Sequence, residues 1–337
     1  MKKQLNVAIV GATGAVGKVM VQMLEEREFP VKSLFLLGSS RSAGTSVMFQ
    51  GKPHTVGRLD KFDFSTIDLG LFSAGANVSK EYAPKAVKAG AVVVDNTSHF
   101  RRDPEIPLIV PEVNLHALER HRGIVANPNC STMQMVVALK PIYDAVGIKR
   151  INVATYQAVS GAGKRAIDEL VAQTSAILSG ESPIVEVMPK QIAFNAIPHI
   201  DSFQENGYTR EEMKMVWETQ KIFEDESILV NPTAVRIPVF YGHSEAVHVE
   251  TNDPITASEA KELLMAAVGV TVLDERTPGG YPTAVTEAEN DDQVYVGRIR
   301  KDITCENGIN LWIVSDNIRK GAALNSIQIS EKLLNTI

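Results

Sequence analysis

A short apolar run, Leu5–Val10, ends on Gly11-Ala12-Thr13-Gly14-Ala15-Val16-Gly17 and passes directly into an amphipathic helical pattern. Glycines at this spacing allow a tight turn and let main-chain N–H groups approach an anion at a helix N-terminus. The spacing is GxxGxxG rather than the GxGxxG of the usual dinucleotide fingerprint, so as a string it also suits an ordinary turn. Its position between a strand and a helix favours the dinucleotide reading. Gly11, Thr13, Gly14, Ala15 and Val16 are the candidate cofactor contacts.

Further apolar runs at Leu34–Leu37, Leu69–Ser73, Ala91–Asp95 and Leu108–Val110 alternate with helical patterns. That alternation predicts βαβ units and a mostly parallel sheet. Asn127-Pro128-Asn129-Cys130 reads as a turn, followed by a helix over Ser131–Ala145 and a strand over Ile151–Tyr156. Beyond it, helices at Lys164–Leu178 and Arg210–Phe223 mix with strands at Val235–Phe240, His248–Thr251 and Asn310–Val314. The closing stretch Arg319–Leu334 carries Ala322, Ala323, Ile327, Ile329 and Leu333 as a helix that returns to the first domain. The expected class is α/β: a dinucleotide-binding domain over 1–127, completed by helix 319–337, and an α+β domain over 128–318.

The end of the second strand separates the two nicotinamide cofactors. An NAD site usually places Asp or Glu there for the ribose hydroxyls. Here the residues are Gly38-Ser39-Ser40-Arg41-Ser42. With no acid present, Arg41, Ser39 and Ser42 suit a 2′-phosphate, so NADP is the expected cofactor.

A net charge of -6 and the lack of any long block of like charge exclude an electrostatic footprint for nucleic acid or an anionic membrane. No apolar run reaches about 18 residues, and the N-terminal stretch lacks the pattern of a secretory signal. The two cysteines, Cys130 and Cys305, show neither CxxC spacing nor a disulfide framework, so a reducing cytoplasm is expected and no metal is.

Cys130 stands between a proline turn and a helix start, where unpaired N–H groups and the helix dipole favour a thiolate and an oxyanion. Position alone supports catalysis weakly, because a cysteine is more often a small buried hydrophobe. Cys305, in Ile303-Thr304-Cys305-Glu306-Asn307, has no such setting and reads as structural. A thiol nucleophile calls for a base, and His243 is set near a glycine at a strand end, able to aim an imidazole into a cleft.

Four ordered segments then become specific: Asn127-Pro128-Asn129-Cys130-Ser131-Thr132; Tyr156-Gln157-Ala158-Val159-Ser160-Gly161-Ala162-Gly163; Arg236-Ile237-Pro238 with Gly242-His243-Ser244-Glu245; and Asp316-Asn317-Ile318-Arg319-Lys320-Gly321-Ala322-Ala323. Together they resemble the signatures of bacterial aspartate-semialdehyde dehydrogenases, in order and from end to end of the chain. The resemblance implies a Rossmann-type domain completed by the C-terminal helix and a central catalytic domain that forms a homodimer. It maps the nucleophile to Cys130, the acid/base to His243 and a substrate-orienting amide to Gln157. It gives the substrate carboxylate to Arg236, the phosphate to Arg101 and Lys214, and the substrate ammonium to Glu211. Ser160, Gly161 and Asn317 match positions around the cofactor.

Two rival readings remain at this point. One is another acyl-phosphate reductase of the same fold, such as N-acetyl-γ-glutamyl-phosphate reductase, whose substrate has no ammonium for Glu211. The other is a catalytically silent NADP-binding protein, against which the joint presence of thiol, base and anion clamps argues.

Overall fold

The computed structural model describes residues 4–334, which divide into two compact units, 4–128 with 322–334, and 129–321; the last residues of the expected helix 319–337 lie outside the described residues. The breaks fall at Pro128/Asn129 and Gly321/Ala322, a few residues from the 127/128 and 318/319 expected from sequence.

In the first unit, β1 (Leu5–Val10) is followed by α1 (Ala15–Glu26), β2 (Val31–Gly38), a small hairpin of β3 (Ser46–Phe49) and β4 (Lys52–Thr55), and β5 (Gly57–Arg58). Then come β6 (Leu69–Phe72), α2 (Ala76–Lys88), β7 (Val92–Asp95), the short α3 (Pro111–Asn114) and β8 (Ile124–Ala126). All pairings in the main sheet are parallel, in the order β5-β2-β1-β6-β7-β8. The chain order therefore reverses beside β1, and the glycine loop leaves its C-terminal end, where nucleotide clefts form in doubly wound sheets. Buried on both faces, the strands are near-continuous apolar runs, with Leu5, Val7 and Ile9 fully enclosed.

Leu108–Val110 does not become a strand. Leu108 makes only an isolated bridge to Ala126, and the sixth strand is Ile124–Ala126, too short for its pattern to stand out.

The second unit opens with α4 (Cys130–Val146) and continues through β9 (Ile148–Gln157), α5 (Lys164–Leu178), α6 (Arg210–Phe223), β10 (Leu229–Arg236) and β11 (His243–Thr251). It closes with α7 (Ala257–Ala266), β12 (Val270–Val272), β13 (Val294–Lys301) and β14 (Gly308–Ser315). The sheet is mixed, in the order β10-β9-β11-β14-β13-β12, with α4 packed across it. The strand expected over Val235–Phe240 instead runs from Leu229 to Arg236, with Pro238 in the segment that leaves the sheet. His243 opens a strand rather than closing one, and Gly242 before it takes φ +83°. The last segment is a π turn over Arg319–Ala323 leading into α8 (Leu324–Leu333), which packs on α1, α3 and β7 of the first unit. Among the described residues, no helix is long and apolar enough to cross a membrane.

Candidate active site and nucleotide cleft

In the first unit the glycine loop is fixed by close approach. Gly11 takes φ +93°, and a Cβ there would stand 2.8 Å from the Ser73 carbonyl oxygen; a Cβ on Gly17 would stand 2.2 Å from that of Gly11. Neither position admits a side chain without moving main chain. Gly14 precedes α1 with no side-chain cap, and Ala15 and Val16 form its first turn, which has no acid, so the helix start suits an anion. A cleft of ≈ 510 Å³ runs from Gly11, Thr13 and Gly14 to Ser39, Arg41 and Ser42. These residues fit the diphosphate of a nicotinamide dinucleotide.

Sequence reasoning missed Arg58 and Asp60, which line the same cleft. An acid is therefore present, but its two oxygens are taken by the Arg58 guanidinium at 3.0 and 2.6 Å. Arg58 closes an edge strand of two residues, too short for a pattern to point to it. Arg101 also belongs to this unit. It is buried and donates to the Asn96 carbonyl at 2.9 Å, on the loop after β7.

The second unit gathers Cys130, Gln157, Glu211, Lys214, Arg236 and His243. Cys130 is the first residue of α4. The side chain of Asn129 caps that helix, accepting the N–H groups of Ser131 and Thr132 at 3.0 and 3.3 Å. Gly321 comes close behind the thiol, since a Cβ there would lie 2.8 Å from that of Cys130.

Gln157 and Arg236 end the paired parallel strands β9 and β10 in register, which brings amide and guanidinium to one edge. The Arg236 Nη1 donates to the Ala158 carbonyl at 2.7 Å. Burial pushes the Arg236 pKa down, while the charges of Glu211 and Cys130 pull it back up. Gly161 has no side chain where one would meet Arg236 Nη1 at 3.1 Å and His243 Nε2 at 3.4 Å.

His243 is fully buried. Burial, and then the charge of Arg236, push its imidazole down to about 3, so the ring is neutral. The Ala158 N–H donates to Nδ1 at 3.1 Å, which leaves the ring hydrogen on Nε2. Gln157 Nε2 stands 3.5 Å from that atom; two donors facing one another at this distance are neighbours without a hydrogen bond. The geometry presents His243 as a donor.

Glu211 is buried among donors: Asn129 Nδ2 at 2.9 Å, Gln157 Nε2 at 3.1 Å and Lys214 Nζ at 2.9 Å. Burial alone would raise its pKa; the Lys214 charge and these hydrogen bonds outweigh it and hold it at about 2. Lys214 is shared with Asp201, also at 2.9 Å. Ser160 and Asn317 bond to each other, and Asn317 Oδ1 accepts the Gly242 N–H at 2.9 Å, fixing the turn before His243. Asn129, Asp201 and Ala158 were not foreseen. Asn129 was legible as an N-cap before a helix, whereas the other two meet their partners only through the tertiary fold.

Two family models match, described as semialdehyde dehydrogenase, NAD binding domain, over residues 6–121 and semialdehyde dehydrogenase, dimerisation domain, over 139–320. A nucleotide-binding unit joined to that second domain defines the class. The "Aspartate-semialdehyde dehydrogenase" of Legionella pneumophila is 64% identical over 335 residues, covering 99% of this chain and 96% of its own. That of Bacillus subtilis is 52% identical, covering 99% and 98%. A crystal structure of aspartate semialdehyde dehydrogenase II from Vibrio cholerae complexed with ASA superposes with a TM-score of 0.97 at 57% identity, covering 99% of each chain. The chain belongs to the aspartate-semialdehyde dehydrogenase family.

Proposed function

We propose that the protein uses NADPH to convert L-aspartyl 4-phosphate to L-aspartate 4-semialdehyde and phosphate through a thioester on Cys130. That reaction serves the biosynthesis of lysine, threonine, methionine and diaminopimelate in the cytoplasm, and the working form is a homodimer. The observation that carries this reading is one cluster in which a half-buried helix-start thiol is joined by a buried arginine, a buried neutral imidazole donor and a buried carboxylate.

The α4 N-terminus and Arg236 favour the Cys130 thiolate, so His243 need not remove the thiol proton. The thiolate attacks the acyl carbon; a C–S bond forms and the C–O bond to phosphate breaks, with Arg101 and Lys214 assigned to the leaving phosphate. Arg236 takes the substrate carboxylate, Glu211 the ammonium, and the Gln157 amide orients the acyl group. Bound in the first unit's cleft, NADPH supplies the hydride that reduces the thioester. His243 Nε2–H donates to the oxygen on which charge develops, and collapse of the tetrahedral adduct returns the thiolate and releases the aldehyde. The deciding assay is reduction of NADP⁺ with aspartate semialdehyde and phosphate, the reverse reaction. No phosphate-dependent signal, or a preference for the N-acetyl-γ-glutamyl analogue, overturns the assignment.

Specificity for NADPH is proposed to lie with Arg41, flanked by Ser39 and Ser42, with Ser160, Gly161 and Asn317 assigned to the cofactor from the second unit. Arg41→Ala should raise the KM for NADPH by roughly tenfold, the lower end for a charge-assisted hydrogen bond at an exposed side chain. The KM for NADH should barely move. Equal shifts for both cofactors would show that Arg41 does not read the 2′-phosphate.

A further inference from the structure

Glu245 follows His243 by two residues on β11, so both side chains leave the strand on the same face, and both are fully buried. Neither carboxyl oxygen of Glu245 has a hydrogen-bond partner among the described residues. On α4, which packs on this strand, Gln134 lies one turn beyond Cys130, and its Nε2 donates to the His243 main-chain carbonyl at 3.3 Å. The Gln134 amide also acts on the Glu245 carboxyl, without a formed hydrogen bond between the two side chains. Cys130 and His243, on their separate elements, are thus backed by Gln134 and Glu245.

We propose that Glu245 is a positioning residue, held as its uncharged acid, that with Gln134 braces the His243 end of β11 against the helix carrying Cys130. This rests on the role proposed above for His243.

Among the described residues no charged side chain acts on Glu245. Its register partners are Thr155 on β9 and Ile313 on β14. The titratable groups of β9 are Lys149 and Arg150 at its far start, engaged with Glu250, and Tyr156, which packs on Trp312 from the opposite face. β14 carries none. On α4, Lys140 and Asp144 pair with each other and Tyr143 bonds to Asp225, leaving Cys130 at the helix start. His243, on the same strand face, is neutral. A carboxylate here would sit in a low dielectric with no cation and no formed hydrogen bond, so the proton is retained; burial pushes the carboxyl well above its usual range, and only the Gln134 amide pulls the other way.

Because the folded pKa is raised, the contribution of Glu245 to stability is complete below the unfolded carboxylate range and is lost as pH rises through the folded value. Glu245→Gln is uncharged at every pH and escapes that loss. As pH rises above the ordinary carboxylate range, the unfolding equilibrium of the wild type should therefore shift toward unfolded, relative to Glu245→Gln, by up to about tenfold per pH unit. Glu245→Leu keeps an apolar volume but has no polar group to offer Gln134; its kcat should fall by about tenfold or more at unchanged KM, and Glu245→Gln should restore kcat to within about threefold of wild type.

Denaturant melts across pH and steady-state kinetics on the full-length protein test both parts. A constant stability gap across pH shows that Glu245 is ionised and overturns the proposal, as does a Leu variant with wild-type kcat. If the Leu variant fails to fold, the pH dependence of the gap still decides. His243→Asn separates the two readings: wild-type kcat in that variant would sink the role of His243, while the stability gap would continue to report the Glu245 proton.

Discussion

Cys130→Ser should lower turnover by at least about a thousandfold while nucleotide binding persists, because the nucleophile is lost and the glycine-loop cleft lies in the other unit. A serine hydroxyl at the start of α4 keeps the shape and the Asn129 cap but is not deprotonated by a helix terminus and an arginine at neutral pH. Steady-state rates and NADPH titration by fluorescence measure the two quantities separately. Mass spectrometry after brief exposure of the wild type to an acyl phosphate without NADPH should find the adduct on Cys130. Cys305→Ser should remain active, since that residue sits in a turn whose N–H donates to Asp302, away from the cluster. Wild-type rates in Cys130→Ser would end the thioester mechanism.

Glu211→Gln should cost less activity than that but stability as well, for two reasons of different kind. The substitution removes the charge proposed to hold the substrate ammonium, worth about 1.5 to 3 kcal/mol, or roughly a tenfold to hundredfold fall in kcat/KM with aspartate semialdehyde. The loss should shrink with an N-acetylated analogue, which carries no charge on nitrogen. Glu211 is also the buried partner of Lys214 and an acceptor for Asn129, so its neutral replacement should cost about 3 kcal/mol of stability. That stability has an acid signature: since the folded pKa is depressed to about 2, it is present above the ordinary carboxylate range and is lost as pH falls through the folded value. Arg236→Lys, which keeps charge but loses the planar fork, should impair both substrates alike. Unchanged kinetics with aspartate semialdehyde in Glu211→Gln would remove the ammonium assignment while leaving the Cys130 chemistry standing.

Long, strongly patterned elements could be read from the chain: β1, α5 and α6 fall where periodicity puts them, and the glycine loop announced the nucleotide unit. Short elements could not. β8 has three residues and β5 two, below any window in which alternation is visible, and Leu108–Val110 has the composition of a strand but finds only one bridge. The segment after Arg236 is apolar enough for a strand, yet Pro238 lacks the N–H a ladder needs. In the site, residue types were legible and their protonation was not. That His243 carries its hydrogen on Nε2 follows from the Ala158 N–H, and that Lys214 is divided between Glu211 and Asp201 follows from the docking of α6. Ala158 lies 85 residues from His243 and Asp201 13 from Lys214; of these partners Glu211 alone is near in sequence.

The return of α8 to the first unit sets an order of events during synthesis. Leu324, Ile327, Ile329 and Leu333 sit in the same apolar core as Leu5, Ile9, Met20 and Val94, and Asn325 ties Ile109 and Asn127 together at 2.9 and 2.7 Å. A ribosome delivers β1 through β8 first, then the entire second unit, and only then the helix that seals the nucleotide domain. Until that moment the nascent domain holds an open apolar wall, the kind of surface on which chaperones act and aggregates start. Deletions that remove α8 should therefore surface as failures of dinucleotide binding, in a part of the protein translated hundreds of codons earlier.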